Sequence, residues 1–300
     1  MLEFRPIVRE DKEWIRSITK CETSRSADTS FCSMYLWSIG NERMVARSND
    51  RLIIKLIGEK GPFFLFPFGC GNLVAVINEM KEYCESIGKP LIIYGANSNH
   101  LPIIEKLFPD ELKIIRERKY DDYVYSAEKL AALSGKALHS KRNHINSFEN
   151  THKDWRFEPL CRKHIPLCLE LLDKWREADP DHVEQDVFNE YRAIKLALEN
   201  FAELDLIGGV LWAGEEIVAF TLGEKLCHDT VVVHFEKARA DIRGAYPMIN
   251  REFVRYILKL YPETVYINRE DDMGMENLRK AKESYKPVMM VEKYTAIWKK

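Results

Sequence analysis

Hydrophobic and polar residues follow two alternating periods along this chain. Apolar residues at every second position predict β-strands, and apolar residues three or four positions apart predict helices with one buried face. In the first part the pattern predicts a helix at 11–21, strands at 44–47, 51–58 and 62–68, a helix at 74–87, a strand at 90–95, a helix at 101–107, and strands at 112–116 and 120–125.

The second part repeats that order of elements. Its predicted series is a strand at 155–160, helices at 164–178 and 186–200, strands at 204–212, 217–226 and 230–236, a helix at 247–260, a strand at 264–268, a helix at 276–283 and a closing strand pair at 288–298. In both halves three strands precede a helix, a strand, a second helix and final strands. The sequence therefore predicts an α/β (α+β) protein with two tandem units, each a mixed central sheet flanked by helices.

The length of 300 residues favours two domains, because single hydrophobic cores rarely grow that large. No residue-level repeat links the halves, so the duplication is inferred from element order. The boundary is expected near Ser134 and Gly135. This gives an N-terminal domain over 1–135 and a C-terminal domain over 136–300, with a cleft between them.

Composition narrows the class of protein. A formal net charge of −2 excludes a globally basic nucleic-acid-binding protein. The start of the chain lacks the layout of a signal peptide, and the most apolar run, 63–68, is far shorter than the ~20 residues that span a bilayer. The seven scattered cysteines form no CxxC pair and indicate free thiols. We expect a cytoplasmic protein without a transmembrane segment.

The strand at 230–236 carries two candidate catalytic side chains. Strict alternation places His234 and Glu236 on one face of this strand, and Val231 and Val233 on the other. A buried carboxylate at Glu236 would have a raised pKa and would accept a proton from an attacking amine, or His234 would serve in its place. The alternative is that both are solvated residues on an edge strand.

Charged and amide side chains gather where the strand at 264–268 ends. Open α/β sheets commonly bind ligands at such strand ends, so Asn268, Arg269 and Asp271 are candidate pocket residues. Asp272 is expected to cap the following helix instead, because an acid stabilises a helix N-terminus. Asn250, on the preceding helix, is a further cleft candidate.

The segment Lys136–His144 is basic. On a helical wheel Lys141 falls within the apolar face of Leu138, Ile145 and Phe148, so it is expected to point toward the protein. Such a segment would line a cleft and bind a polyanion such as tRNA or a lipid headgroup phosphate. The alternative is an amphipathic linker helix whose long side chains cover apolar surface. The cleft candidates here are Lys141, Arg142, Asn143 and His144.

Two stretches resemble signatures of a known family. Gly135–Asn146 (GKALHSKRNHIN) and Leu278–Pro287 (LRKAKESYKP) are similar to sequences of the phosphatidylglycerol lysyltransferase C-terminal domain family. The element order resembles the N-acetyltransferase (GNAT) superfamily. Two such units in tandem resemble its Fem-type branch of aminoacyl- and peptidyltransferases. The resemblance covers roughly residues 20–298 and implies a tandem GNAT-like fold.

The resemblance places a donor site at the turn before the helix at 247–260. With Pro247 as the first helical residue, free N–H groups near Gly244 and Ala245 would bind a phosphate or carboxylate, and Arg243 would add positive charge. The alternative is a plain strand-to-helix connection. The superfamily's acetyl-coenzyme A loop reads Q/R-x-x-G-x-G/A, whereas Ile242 occupies the first glycine position here. This departure argues against coenzyme A and is compatible with aminoacyl-tRNA.

The resemblance also gives Tyr285 a role, because this superfamily often keeps a tyrosine near that position to protonate the leaving group. A phenol, with a pKa of ~10, is a proton donor at neutral pH. Arg279 and Lys282 lie three apart on a predicted helix and would clamp an anionic donor. The alternative is that Glu283 forms a surface ion pair with Arg279, which would contribute little to stability.

The sequence contains no motif for metal binding, nucleophilic catalysis or nucleotide hydrolysis. The eight histidines show no HxxxH or HExxH spacing, and the sequence contains no GxSxG or GxxxxGK[ST] motif. We therefore predict no metal site, no covalent nucleophile and no nucleotide hydrolysis.

These features predict an acyl- or aminoacyltransferase that moves an activated acyl group to an amine or hydroxyl acceptor by direct attack. Glu236 is the predicted base and Tyr285 the predicted acid, and aminoacyl-tRNA or acyl-coenzyme A is the donor substrate. Three alternatives remain open: a coenzyme A-dependent acetyltransferase of a small molecule, a lipid-aminoacylating enzyme that reaches the membrane through a partner or by interfacial binding, and a non-catalytic binding module that keeps the fold.

Overall fold

The computed structural model describes residues 2–40, 42–58, 61–177 and 185–299. The chain divides into two compact units. The first comprises Met1–Asp122, Asp271–Gly274 and Val291–Lys300, and the second comprises Tyr123–Glu270 and Met275–Met290. The domain boundary predicted between residues 135 and 136 stays a prediction.

The strands are β1 (Arg5–Pro6), β2 (Arg43–Ser48), β3 (Arg51–Gly58), β4 (Gly61–Leu65), β5 (Ile92–Asn97), β6 (Leu112–Arg116), β7 (Asp122–Ser126), β8 (Arg156–Pro159), β9 (Ile207–Ala213), β10 (Glu216–Cys227), β11 (Thr230–Ala238), β12 (Tyr266–Asn268), β13 (Met289–Val291) and β14 (Lys293–Trp298). The helices are α1 (Lys12–Thr19), α2 (Phe31–Leu36), α3 (Leu73–Ser86), α4 (Leu101–Leu107), α5 (Ala127–Ala132), α6 (His139–Thr151), α7 (Ile165–Glu177), α8 (Gln185–Glu199), α9 (Ala245–Leu260) and α10 (Glu276–Glu283). The predicted end of the helix at 164–178 falls on residue 178, outside the described residues.

Each unit contains one mixed sheet, and the two sheets have the same internal order. Among the described residues, the first sheet runs β1-β2-β3-β4-β5-β14-β6 and the second runs β8-β9-β10-β11-β12-β7-β13. In each, four antiparallel strands are followed by a strand that pairs in parallel with the fourth, β5 with β4 and β12 with β11. The helix between those parallel strands is α3 in the first unit and α9 in the second. The predicted repetition of element order is confirmed.

Two strands lie in a different half of the protein from the one predicted for them. β7 follows the first series of elements, but it lies in the second sheet between β12 and β13. The predicted closing strand pair at 288–298 is wrong, because β13 lies in the second sheet whereas β14 lies in the first, between β5 and β6. A run of apolar residues predicts that a strand is buried, but it does not specify the neighbouring strands.

Helix α9 covers one face of the second sheet. Its buried side chains recur at helical spacing and pack against buried residues of β11 and β12. Burial of each large apolar side chain stabilises the fold by about 1.5–3 kcal/mol. This packing fixes α9 against the sheet, and with it every polar side chain that α9 directs inward. The packed residues include Met248, Ile249, Phe253 and Ile257 of α9, and Val231, Val233 and Ile267 of the strands.

A β-bulge interrupts the alternation along β11. Leu222 of β10 lies opposite Phe235, whereas the next residue, Gly223, lies opposite Val233, so His234 is an extra residue on β11. A bulge of one residue reverses which side chains face each side of the sheet. Glu236 therefore faces α9 together with Val231 and Val233. The predicted grouping of Glu236 with His234 on one face is wrong.

The cysteines and the helices bear on two further expectations. Cys21 and Cys70 form a disulfide in the first unit, so the prediction of free thiols is wrong for this pair, which is 49 residues apart in sequence. Among the described residues, Cys32, Cys84 and Cys168 are buried cysteines outside this disulfide. Of the helices in the described ranges, none combines the length and the apolar character needed to cross a membrane.

Candidate active site

Glu236 is the centre of a buried polar cluster in the second unit. Its side chain is 9% exposed. One carboxylate oxygen, Oε1, accepts a hydrogen bond from Arg269 Nη2 at 3.0 Å. The other, Oε2, accepts one from Asn250 Nδ2 on α9 at 3.1 Å. The structure thus brings three of the predicted residues into direct contact, from β11, α9 and the end of β12.

Backbone contacts hold Arg269 in place. Its N–H donates to the Tyr123 carbonyl at 2.9 Å, and its own carbonyl accepts from Lys282 Nζ at 2.6 Å. The buried Asn268 side chain accepts the Glu270 N–H at 2.6 Å, in a turn where Glu270 has a φ of 55°. A non-glycine residue in the left-handed region is retained only where its surroundings impose it. The turn therefore directs the guanidinium toward Glu236.

The Tyr285 ring contacts two cations. Lys141 Nζ is 4.1 Å from the centre of its ring, and the Arg269 guanidinium carbon is 4.9 Å from it. Burial raises the pKa of Tyr285, against the opposing effect of Arg269. Burial and the nearby Arg269 lower the pKa of Lys141, whereas Glu236 opposes that change. Lys141 thus points inward, and Tyr285 is a neutral phenol that can donate a proton.

Lys282 contacts the backbone of the protein, whereas the sequence predicts that it binds an anionic donor. It is buried, its ammonium binds the Arg269 carbonyl, and its own carbonyl accepts the hydroxyl of Tyr125 at 2.8 Å. Arg279 is half-buried on the same helix, α10. The structure therefore connects Lys282 to the backbone beneath the cluster, and the donor-binding roles of Lys282 and Arg279 stay predictions.

His234 bridges two carboxylates. Its side chain is 1% exposed, with Nδ1 2.8 Å from Glu270 Oε1 and Nε2 3.1 Å from Glu224 Oε1. Burial alone would lower its pKa, but the hydrogen bonds to Glu224 and Glu270 outweigh that effect and raise the pKa to about 9. At neutral pH the imidazolium donates from both nitrogens and has no lone pair to accept a proton. The contacts thus disfavour the predicted role of His234 as a base.

We expect His234 to stabilise the fold in a pH-dependent manner. Because its folded pKa lies above the unfolded value of about 6.5, the stabilisation is fully present below pH 6.5 and is lost as pH rises through about 9. A shift of this size corresponds to about 3 kcal/mol. The measurement is the unfolding free energy of wild type minus that of His234→Gln from pH 5 to pH 10. His139→Gln, at an exposed histidine, is the control, and a pH-independent difference for His234→Gln would contradict this account.

The turn before α9 is closed by packing. The helix begins at Ala245, so Pro247 is its third residue and not its first. The Ala245 N–H donates to the Ile242 carbonyl at 3.2 Å, and Pro247 has no N–H, so the first turn offers few donors to an anion. Arg243 is exposed, whereas Gly244 lies against the His144 carbonyl of α6. Donor binding by Arg243, Gly244 and Ala245 stays a prediction.

Gly244→Ala is expected to destabilise the protein by about 1–3 kcal/mol more than Gly135→Ala. Both glycines have positive φ, 90° and 87°, but only at Gly244 would the added Cβ overlap a backbone atom, the carbonyl oxygen of His144. At Gly135 nothing lies within 4 Å of an added Cβ. Thermal unfolding of both variants provides the measurement. Equal melting temperatures would show that close packing of α6 against the turn is unimportant.

The other basic and amide candidates occupy turns or the surface. Arg142 donates to the carbonyls of Leu133 and Gly135, at 2.7 Å for Gly135, and so holds the turn that leads into α6. Asn143 is exposed and contacts His139, at 3.2 Å between Nδ2 and Nε2. Of the basic segment, Lys141 is the residue that the structure places in the Glu236 cluster.

The acids after β12 form turns. Asp271, which belongs to the first unit, accepts the Met273 N–H at 3.0 Å. Asp272 is fully buried and accepts the Gly274 N–H at 2.9 Å. The N-cap residue of α10 is Met275, which makes no side-chain cap. The predicted capping of α10 by Asp272 is therefore wrong, because the chain turns once more before the helix begins.

Sequence reasoning missed three residues of this region. The strand pattern predicts Tyr125 in the first half with the rest of β7, although its ring centre lies 5.8 Å from the Arg269 guanidinium. Glu224 and Glu270, the partners of His234, are not among the residues that the sequence predicts for the site. Glu270 lies within the polar run after β12, and this run could have identified it as a candidate. No local pattern connects Glu224 to a histidine ten residues away.

Among the described residues of the second unit, one turn groups atoms that could hold a metal ion. Ligand atoms of Cys227, His228 and Asp229 lie within 4.8 Å of one another. Asp229 already accepts hydrogen bonds from Thr230 Oγ1 at 2.8 Å and, through its carbonyl, from two N–H groups. These three residues are consecutive and form the turn between β10 and β11, which by itself brings their side chains close together. The expectation of no metal site stays a prediction.

The structural comparisons agree on the fold. A conserved protein of unknown function from Bacteroides thetaiotaomicron is 37% identical, with 100% of each chain covered and a TM-score of 0.93. The C-terminal domain of a putative lysylphosphatidylglycerol synthetase from Agrobacterium fabrum is 13% identical, with 97% of this chain and 92% of that chain covered and a TM-score of 0.68. FemX is 9% identical, with 98% and 96% covered and a TM-score of 0.59. The predicted α/β fold of two tandem GNAT-like domains is confirmed.

The sequence comparisons define the family. An uncharacterized protein of Mycoplasmoides gallisepticum is 25% identical over 189 residues, which cover 61% of this chain and 58% of that protein's length. The family described as "Phosphatidylglycerol lysyltransferase, C-terminal" matches residues 21–297. Because this match extends over nearly the whole chain, the predicted resemblance to this family is confirmed. The protein belongs to the phosphatidylglycerol lysyltransferase C-terminal domain family.

Proposed function

We propose that this protein transfers an aminoacyl group from aminoacyl-tRNA to an amine or hydroxyl acceptor by direct attack on the acyl carbonyl. The observation that carries the proposal is the buried cluster in which Glu236, Arg269, Asn250 and Tyr285 meet. It combines a proton acceptor, a proton donor and a fixed positive charge. These are the groups that acyl transfer requires when no covalent intermediate forms.

The proposed step transfers one acyl group and two protons. The acceptor nitrogen or oxygen bonds to the carbonyl carbon and loses its proton to the Glu236 carboxylate. The bond from that carbon to the ester oxygen breaks, and the leaving oxygen takes the proton of the Tyr285 hydroxyl. Proton exchange with water then restores both side chains. Positioning of the two substrates supplies much of the rate acceleration.

Two observations support an aminoacyl donor. The family description names a lysyltransferase, and the similar domain from Agrobacterium fabrum is described as part of a putative lysylphosphatidylglycerol synthetase. The turn before α9 offers few free N–H groups for a pyrophosphate such as that of coenzyme A. For the polyanionic partner, tRNA or a lipid headgroup, we propose the exposed residues Lys136, His139 and Asn143 as the contact surface.

The test is a transfer assay with purified protein. Radiolabelled aminoacyl-tRNA charged with each amino acid in turn is offered together with phosphatidylglycerol vesicles or small amines, and acetyl-coenzyme A is offered in parallel. We expect transfer from at least one aminoacyl-tRNA that depends on the acceptor. Transfer from acetyl-coenzyme A alone would support the acetyltransferase alternative. If correctly folded protein transferred no acyl group from any of the donors, the result would favour a non-catalytic binding module.

A further inference from the structure

Two buried polar atoms of the cluster lack a hydrogen-bond partner among the described residues. They are Arg269 Nη1, which is a donor, and Asn250 Oδ1, which is an acceptor. Leaving a buried polar group unsatisfied costs about 1–3 kcal/mol, and native proteins rarely retain one without a functional reason. Two such atoms of opposite polarity, on side chains that hold the same carboxylate, therefore point to a ligand.

The geometry fixes both atoms in place. Glu236 binds Arg269 through Nη2 at 3.0 Å and Asn250 through Nδ2 at 3.1 Å. Each side chain thus uses one polar atom on Glu236, and one further polar atom, Arg269 Nη1 or Asn250 Oδ1, has no hydrogen-bond partner among the described residues. Asn250 is 1% exposed and the Arg269 side chain is 14% exposed, so neither end is hydrated as it would be on the surface.

Contacts on both sides of Arg269 prevent the guanidinium from turning away. It lies over the Tyr285 ring and forms a side-chain hydrogen bond with Tyr285, and Lys282 binds its backbone carbonyl at 2.6 Å. A guanidinium is planar and carries five donors in a fixed fork, so one edge can pair with Glu236 while another donor stays aimed at a ligand. A lysine in this position would satisfy Glu236 but could not present a second donor in the same orientation.

We propose that Arg269 is a further catalytic residue of this site, and that Asn250 selects substrates with an α-amino group. In the reaction proposed above, on which this assignment rests, Arg269 Nη1 donates to the acyl carbonyl oxygen as it becomes an oxyanion. Asn250 Oδ1 accepts an N–H of the donor's α-amino group. An aminoacyl ester presents a carbonyl oxygen and an α-amino group on adjacent carbons. This matches one donor and one acceptor that lack hydrogen-bond partners and belong to side chains bound to the same carboxylate.

The pairing of these roles explains why Glu236 contacts both residues. When Glu236 takes the proton of the acceptor, its charge falls while negative charge appears on the carbonyl oxygen. Arg269 already touches the first group and, through Nη1, reaches the second. A preorganised donor of this kind acts in a buried site without reorganisation, and removing one typically lowers turnover by about 10²–10³-fold.

Arg269→Lys tests the oxyanion role. It keeps the positive charge beside Glu236 and removes the second donor. We expect kcat for aminoacyl transfer to fall about 10²–10³-fold. The dissociation constant of an unreactive donor, a 3′-aminoacylamino-3′-deoxyadenosine measured by calorimetry, should change less than about tenfold, as expected for a group that acts mainly in the transition state. Arg251→Lys is the matched control, because Arg251 is 12% exposed and paired with Glu149 at 2.7 Å outside the cluster.

Asn250→Leu tests the selection of the α-amino group. Two unreactive adenosine amides are compared, one with the aminoacyl group and one with the same acyl group lacking the α-amino nitrogen. We expect Asn250→Leu to weaken binding of the first by about tenfold or more, since a lost hydrogen bond to a charged group is worth about 1.5–3 kcal/mol. Binding of the second should be unaffected. Equal weakening of both amides would mean that Asn250 has a structural role only.

The outcomes separate this inference from the proposed function. The oxyanion role would be overturned if Arg269→Lys lowered kcat by less than tenfold. It would also be overturned if the variant lost the same factor in affinity for the unreactive donor as in kcat. If the wild type binds the aminoacyl amide but transfers nothing, the proposed function fails. A crystal structure of that complex then decides the assignment, by whether the carbonyl oxygen lies within hydrogen-bond distance of Nη1. If the wild type binds neither amide, the ligand assignment itself is wrong.

Discussion

Glu236→Gln is expected to lower the rate of aminoacyl transfer by about 10²–10⁴-fold, the range for loss of a positioned general base. Glutamine keeps the shape of the side chain and one oxygen for Arg269, but it cannot accept the proton that the attacking amine or hydroxyl releases. The measurement is single-turnover transfer from the aminoacyl-tRNA that gives the highest activity in wild type. Glu236 binds Arg269 and Asn250 directly, so the variant changes the acceptor at the centre of the cluster.

Two further variants make this result interpretable. Glu149→Gln removes a carboxylate that pairs with Arg251 at 2.7 Å in the same unit, and we expect it to leave the rate unchanged. Tyr285→Phe keeps the ring that Lys141 and Arg269 contact but removes the hydroxyl, so it should slow transfer without loss of fold. If Glu236→Gln retained more than a tenth of wild-type activity while folded, Glu236 would not be the base.

Arg269→Met is expected to destabilise the protein by about 3–5 kcal/mol, because it leaves the buried Glu236 carboxylate without its cation. Arg269 and Glu236 are 14% and 9% exposed, and their side chains are 3.0 Å apart. Breaking one side of a buried pair is costly, since the remaining charge keeps its desolvation penalty. Chemical denaturation followed by tryptophan fluorescence provides the measurement and requires no knowledge of the substrate.

The double variant Glu236→Gln/Arg269→Met is the decisive companion. When both charges are removed, much of the lost stability should return, with a coupling energy of about 0.5–3 kcal/mol between the two sites. Arg255→Met is the surface control, because Arg255 is 45% exposed and pairs with Glu252 within one helix. We expect its cost to stay below about 1 kcal/mol. Additive losses in the double variant would show that the pair is not energetically coupled.

Several residues of the candidate site followed from local sequence alone. The position of Lys141 within the apolar face of its helix predicted that it points inward, and it lies 4.1 Å from the Tyr285 ring. The polar run after β12 predicted that Arg269 lies at a strand end, where it meets Glu236. These predictions depend on the periodicity of a single element, which is encoded locally.

Other features depend on pairing between distant segments. The bulge at His234 exists because β11 pairs with β10 in a particular register, and it moves Glu236 to the face that α9 covers. The charge state of His234 depends on Glu224 and Glu270, which reach it from two different elements. No pattern within the strand 230–236 specifies either feature.

The sequence by itself determined the repeated order of strands and helices, the family, and the side chains that carry the polar chemistry. Hydrophobic periodicity and short signature stretches are local properties, so they can be read without the fold. The tertiary structure alone decided that β7 and β14 join the sheets they do, that Gly244 packs against α6, and that Glu236, Asn250 and Arg269 meet around two unpaired atoms. These features arise from register and packing, in which the free energy belongs to pairs of segments and not to either segment alone.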